Sequence, residues 1–120
     1  MKKLNKHEKA VNDLLLHPSL IGIESVVFRA RGSFWTPGKA GQITLETDIL
    51  FFTDNVYEEP FHLVEYKSSD TNRQKAVEQL YKGREYIKRF FNTDAYLYFV
   101  YNYKKNLEIE TFGKTRRKKC

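Results

Sequence analysis

Phe61-His62-Leu63-Val64-Glu65-Tyr66-Lys67 is an apolar run that ends in two charges, and its reading decides the fold. Bounded by Glu58-Glu59-Pro60 before it and Ser68-Ser69-Asp70 after it, the run reads as one strand. Side chains alternate along a strand, so Glu65 and Lys67 point to one face, which they share with Leu63. The pair therefore lies where apolar surface becomes polar. A carboxylate and an ammonium at this spacing is also a common salt bridge on a solvated sheet, so the pair needs context before it means chemistry.

Downstream, Ser68, Ser69 and Asp70 are N-cap candidates for a helix over 72–91, in which Val77, Leu80, Tyr81, Ile87 and Phe91 share a stripe that covers the sheet. Ala95 to Tyr101 and Leu107 to Phe112 read as two short strands around Asn102 to Asn106, a second hairpin. Upstream, a strand from Ile43 to Phe52 is joined to the opening run by the turn-like Thr53-Asp54-Asn55, which predicts an antiparallel hairpin. Before it, Gly22 to Ala30 reads as a strand, followed by a loop with Gly32, Pro37, Gly38 and Gly41. From Lys6 to about His17, the apolar residues Leu4, Val11, Leu14 and Leu15 recur at helical spacing, and His17-Pro18 ends the pattern. The order is helix, three strands, helix, two strands. It predicts a single α/β domain over 1–113, with one mixed sheet flanked by helices, and a basic tail over 114–120.

The chain has 120 residues, enough for one core and too few for two domains. Its one cysteine, Cys120, excludes an internal disulfide framework and a cysteine-based zinc site. His7, His17 and His62 lack the spacing of a histidine metal site and read as surface or core residues. No apolar run reaches the ~18 to 20 residues of a membrane span, and Met1 to Lys6 leads into charge. A cytoplasmic protein without a membrane is expected. Lys and Arg outnumber Asp and Glu by 21 to 15, a net charge of +6, which favours polyanions such as nucleic acid or an anionic membrane. Lys114, Arg116, Arg117, Lys118 and Lys119 add either salt-sensitive phosphate affinity or solubility.

Asp48 lies beside the apolar run Ile49-Leu50-Phe51-Phe52, where a carboxylate is costly to bury without a partner. If its strand pairs with 61–67, Asp48 and Glu65 converge, and two close carboxylates need a counter-charge such as Lys67 or a divalent cation. Glu8, at the edge of the stripe of Leu4, Val11 and Leu15, is a third acid facing the sheet; Glu24, near the first strand, competes with it. Hard oxygen ligands beside a lysine suit Mg²⁺ or Mn²⁺ and phosphodiester hydrolysis, with Lys67 orienting a water or stabilising developing charge. Arg73 and Gln74 open the second helix just past Lys67, and Arg29, Arg31 and Lys39 flank the loop; all five are candidates for contacts with DNA phosphate, Arg73 first because its helical position turns it toward the sheet.

An acid on the first helix, Asp48 in one strand and Glu65-Tyr66-Lys67 in the next, followed by a helix and further strands, resembles the PD-(D/E)XK nuclease superfamily. The resemblance runs over roughly Glu8 to Tyr101 and implies a restriction-endonuclease-like αβββαβ core. It further implies that Asp48 and Glu65 bind the metal, that Lys67 is catalytic, that Glu8 acts through a metal-bound water, and that the Tyr66 carbonyl is a further ligand. Thr47 stands where the family's name has proline. Relatives with exonuclease activity carry Gln-x-x-x-Tyr on the following helix; here Gln79 is followed at that spacing by Gly83, so the pattern fails. The small size and Glu65-Tyr66-Lys67-Ser68 look most like the archaeal Holliday-junction resolvases, which implies a DNA endonuclease and a homodimer. Tyr96, Tyr98, Tyr101, Tyr103 and Phe112 are available either to such a dimer surface or to the sheet core. Two other readings remain: a nucleic-acid-binding module without catalysis, and an assembly subunit that keeps the fold.

Overall fold

The computed structural model describes residues 5–35, 44–102 and 106–113. Leu4, Pro37, Gly38, Lys39, Gly41, Tyr103 and the basic tail lie outside the described residues. The elements are α1 (Lys6–Leu16), β1 (Val26–Trp35), β2 (Thr44–Thr53), β3 (Phe61–Lys67), α2 (Arg73–Phe91), β4 (Ala95–Tyr101) and β5 (Glu108–Gly113), with 3₁₀ turns at Pro18–Ile21 and Asp70–Asn72. They build one α/β unit on a five-stranded mixed sheet in the order β1-β2-β3-β4-β5. All neighbours are antiparallel except β3 and β4, which α2 connects as a parallel pair. Among the described residues no helix is long and apolar enough to cross a membrane.

The central strands β3 and β4 are buried from their first residue to their sixth, because a helix covers each face of the sheet. On one face, Val11 and Leu14 of α1 pack on Ile49, Phe51, Val64 and Tyr98. On the other, Leu80 and Ile87 of α2 pack on Leu50, Leu63, Leu97 and Phe99. Each such side chain removed from water contributes about 1.5 to 3 kcal/mol. His62 is fully buried in the α1 layer, its Nδ1 at 2.7 Å from the Tyr98 hydroxyl and its Nε2 at 3.3 Å from Thr53 Oγ1. It is a core histidine, and Tyr96 and Tyr98, each 1% exposed, are core as well.

Three expectations shift. The buried stripe of α2 is Ala76, Leu80, Gly83 and Ile87, whereas Tyr81 and Phe91 are exposed. Small residues at 76 and 83 let the helix approach the sheet closely, an effect invisible when only large apolar residues are weighed. The first strand begins at Val26 instead of Gly22, since the 3₁₀ turn closes on Gly22 in the left-handed region (φ 78) and the chain becomes extended only after Ser25 (φ 61). It also continues through Gly32 to Trp35, because pairing with β2 as far as Trp35 and Thr44 overrides the local loop signal.

Between α2 and β4, Asn92 takes the left-handed C-cap conformation and Arg84 grips Asp94, Nε to Oδ1 at 2.7 Å and Nη2 to Oδ2 at 3.3 Å. Asp94 Oδ1 also accepts the Ala95 N–H at 2.8 Å, which fixes where β4 enters its register with β3. The Arg84 hydrogen bond, helped by the Ala95 N–H, holds the Asp94 carboxyl below its ordinary value of 3.8. A lowered folded-state value means that the stabilisation is complete above the ordinary value and is lost as pH falls through the folded one. Asp94→Asn is expected to cost about 1 to 2 kcal/mol at pH 7, and the difference from the parent should shrink as pH falls below the ordinary carboxylate value. Urea unfolding across pH 7 to 2 checks this; a constant difference would refute the charged clamp.

Candidate functional site

β2 and β3 pair only from Ile49 opposite Val64 to Phe52 opposite Phe61. Beyond Ile49 the ladder stops, and backbone N–H groups that would have paired need other acceptors. Two carboxylates supply them reciprocally. Asp48 Oδ2 accepts the Tyr66 N–H at 2.8 Å, and Glu65 Oε1 accepts the Asp48 N–H at 3.0 Å. The acids expected to converge therefore do so, each on the backbone of the other's strand.

Asp48 reaches this position through an irregularity in β2. Arg31 pairs with Ile49 but Ser33 with Glu46, so Thr47 and Asp48 together face Gly32. Such a two-against-one bulge bends the strand and re-aims a side chain. Thr47 is buried and its hydroxyl turns back to the Ile49 carbonyl at 3.3 Å. Glu65 is 6% exposed, whereas Asp48 opens further to solvent, its side chain 21% exposed. Lys67, on the same face of β3 as Glu65, places Nζ 3.9 Å from Glu65 Oε2 with its side chain 30% exposed. Buried acid, half-open acid and accessible ammonium thus lie in sequence from core to surface.

α1 joins this cluster through His7, whose Nε2 lies 3.2 Å from Asp48 Oδ1 and whose ring centroid is 5.7 Å from that of Tyr66. Glu8 is half-buried in the first turn, its backbone N–H capped by Asn5 Oδ1 at 2.8 Å. Successive helical residues point about 100° apart, so the hydrogen bond from the helix to the pair comes from His7 and not from Glu8. Glu24 is exposed and precedes the Val26 end of β1, roughly 20 Å along the strand from Gly32, where Asp48 sits. In sequence His7 carries no signal of this role, because it is one histidine without spaced partners and Asp48 is 41 residues away.

The phosphate-contact candidates among the described residues, Arg29, Arg31, Arg73 and Gln74, are engaged within the protein. Arg29 Nη1 donates to the Leu15 carbonyl at 2.6 Å, satisfying an open C-terminal group of α1, and Arg31 Nη1 donates to Asn12 Oδ1 at 2.7 Å. Arg73 Nε donates to Glu110 Oε2 at 2.8 Å with its guanidinium 4.9 Å above the Phe112 ring, so it turns toward β5. Gln74 Nε2 lies 3.5 Å from Glu78 Oε1. Tyr101 is the register partner of Lys67 on β4 and stacks on Phe99. Burial first, then the Glu108 and Glu110 carboxylates, push its hydroxyl above its ordinary value.

No group of three or more His, Cys, Asp or Glu side chains that could hold a metal ion occurs among the described residues. Asp48 and Glu65 together supply two carboxylates, and one or two carboxylates are what Mg²⁺ commonly takes from a protein while it retains waters. The donor set does not suit structural zinc. An open apolar cavity of about 610 Å³, lined by Phe28, Phe52, Phe61, Tyr86 and Phe91 among others, lies at the opposite, closed end of the β2–β3 hairpin. No carboxylate or basic side chain lines it, and a polyanion needs a positively charged groove. No protein-family model matches the chain, and no curated protein matches it significantly.

Proposed function

We propose that the chain is a Mg²⁺- or Mn²⁺-dependent nuclease that hydrolyses phosphodiester bonds of DNA as an endonuclease, on a restriction-endonuclease-like fold of the PD-(D/E)XK type. The observation that supports this most is the convergence of Asp48 and Glu65 at the open end of the β2–β3 hairpin, with Lys67 beside them. Asp48 and Glu65 would hold the cation, with the Tyr66 carbonyl as a further oxygen. Held there, such an ion would supply Lewis-acid chemistry to the phosphate and to a bound water. Lys67 presents its ammonium to the phosphoryl oxygens as one P–O bond forms from water and another breaks, stabilising the added negative charge. The excess of basic residues draws the polyanion to the surface.

A second reading has one observation in its favour. Because each acid satisfies a backbone N–H of the other strand, the pair also works as a clamp in a non-catalytic nucleic-acid-binding module or assembly subunit. The two readings separate on metal. Cleavage of plasmid DNA by the purified protein is expected with Mg²⁺ or Mn²⁺ and should stop when EDTA is added. DNA retained on the protein but never cut, with either ion, would favour the clamp.

A further inference from the structure

We infer that His7 is a positioning residue of this site: its Nε2–H orients the Asp48 carboxylate for the cation, so that α1 contributes a donor and not an acid. The inference rests on the metal-site reading above. An ionised carboxylate can only accept, which makes His7 Nε2 the donor across the 3.2 Å contact. Asp48 is then held at both oxygens by donors from different elements, Oδ1 by the α1 imidazole and Oδ2 by the Tyr66 N–H of β3. Its torsion is fixed, and each oxygen retains a lone pair for a ligand. The Tyr66 ring beside the imidazole restrains the histidine in turn. Donors that orient a ligating carboxylate in this way are typically worth about 10- to 100-fold in metal affinity.

Calorimetric titration of Mn²⁺ into the protein without DNA tests the assignment, with circular dichroism and thermal unfolding as fold controls. His7→Leu is expected to lose at least about tenfold in Mn²⁺ affinity, and His7→Gln, whose amide nitrogen reaches a similar position, to recover most of it. His7 is 42% exposed at its side chain, so both variants should fold. Parental affinity in folded His7→Leu overturns the inference, as does a His7→Gln as weak as His7→Leu, which would make the imidazole a ligand or a packing group. Asp48→Ala in the same titration keeps the two failures apart. If the parent binds no Mn²⁺, or Asp48→Ala binds as the parent does, the metal site itself is wrong and His7 falls with it.

Discussion

Lys67→Ala is expected to lower the rate of DNA cleavage by roughly 10²- to 10³-fold, the usual cost of removing one preorganised charge from a transition state. DNA affinity and Mn²⁺ affinity should change little, because the carboxylates remain and one exposed cation is a small part of a net charge of +6. The side chain ends β3 30% exposed and 3.9 Å from Glu65, a separation at which an ion pair adds little to stability. Folding should therefore be intact by circular dichroism, and single-turnover cleavage beside a binding titration separates the two quantities. A folded Lys67→Ala that cuts at the parental rate would remove the nuclease assignment from this site.

Asp48→Asn should abolish cleavage by a different route. The amide oxygen still accepts the Tyr66 N–H, so the strand ends stay joined, but the formal charge that holds a divalent cation is gone. Metal affinity should fall by at least about 100-fold, more than any orienting neighbour costs. Raising Mn²⁺ by that factor should restore part of the cleavage, whereas no concentration should rescue Lys67→Ala. Equal rescue of both variants, or of neither, would mean that the two residues do not divide the work as stated.

The order of elements was legible in the chain because strand and helix periodicities are local, and Phe61–Lys67 and Ala95–Tyr101 match their strands at both ends. The convergence of Asp48 and Glu65 follows from pairing the two strands, since burying Ile49, Phe51 and Val64 on one face and Leu50, Phe61 and Leu63 on the other leaves few registers open. What could not be read was set by distant partners. The bulge that turns Asp48 arises from pairing with Gly32, sixteen positions earlier in the numbering, and a glycine marks a bulge only where its segment is already read as a strand, whereas 32–41 reads locally as a loop. His7 belongs to the site only because α1 packs over the open end of the hairpin. Charge alone makes Arg29 and Arg31 candidates for phosphate and does not reveal that α1 also offers them acceptors, the Leu15 carbonyl at its end for Arg29 and Asn12 Oδ1 for Arg31. Arg73 likewise finds an acid and an aromatic ring on β5.

The reciprocal hydrogen bonds of Asp48 and Glu65 bear on how this chain can diverge. Substituting either acid by an apolar residue strands a backbone N–H, at about 1 to 3 kcal/mol where it is buried, whether or not any phosphate is ever cut. With or without catalysis the fold keeps both acids under pressure, so their retention in a related sequence would be a mark of folding as much as of the proposed activity. Lys67 is under no such constraint: among the described residues it meets the network through one ion pair of 3.9 Å. Under the proposed nuclease reading, the lysine, and not the more conspicuous pair of acids, is the position at which sequences that cut and sequences that only fold would part.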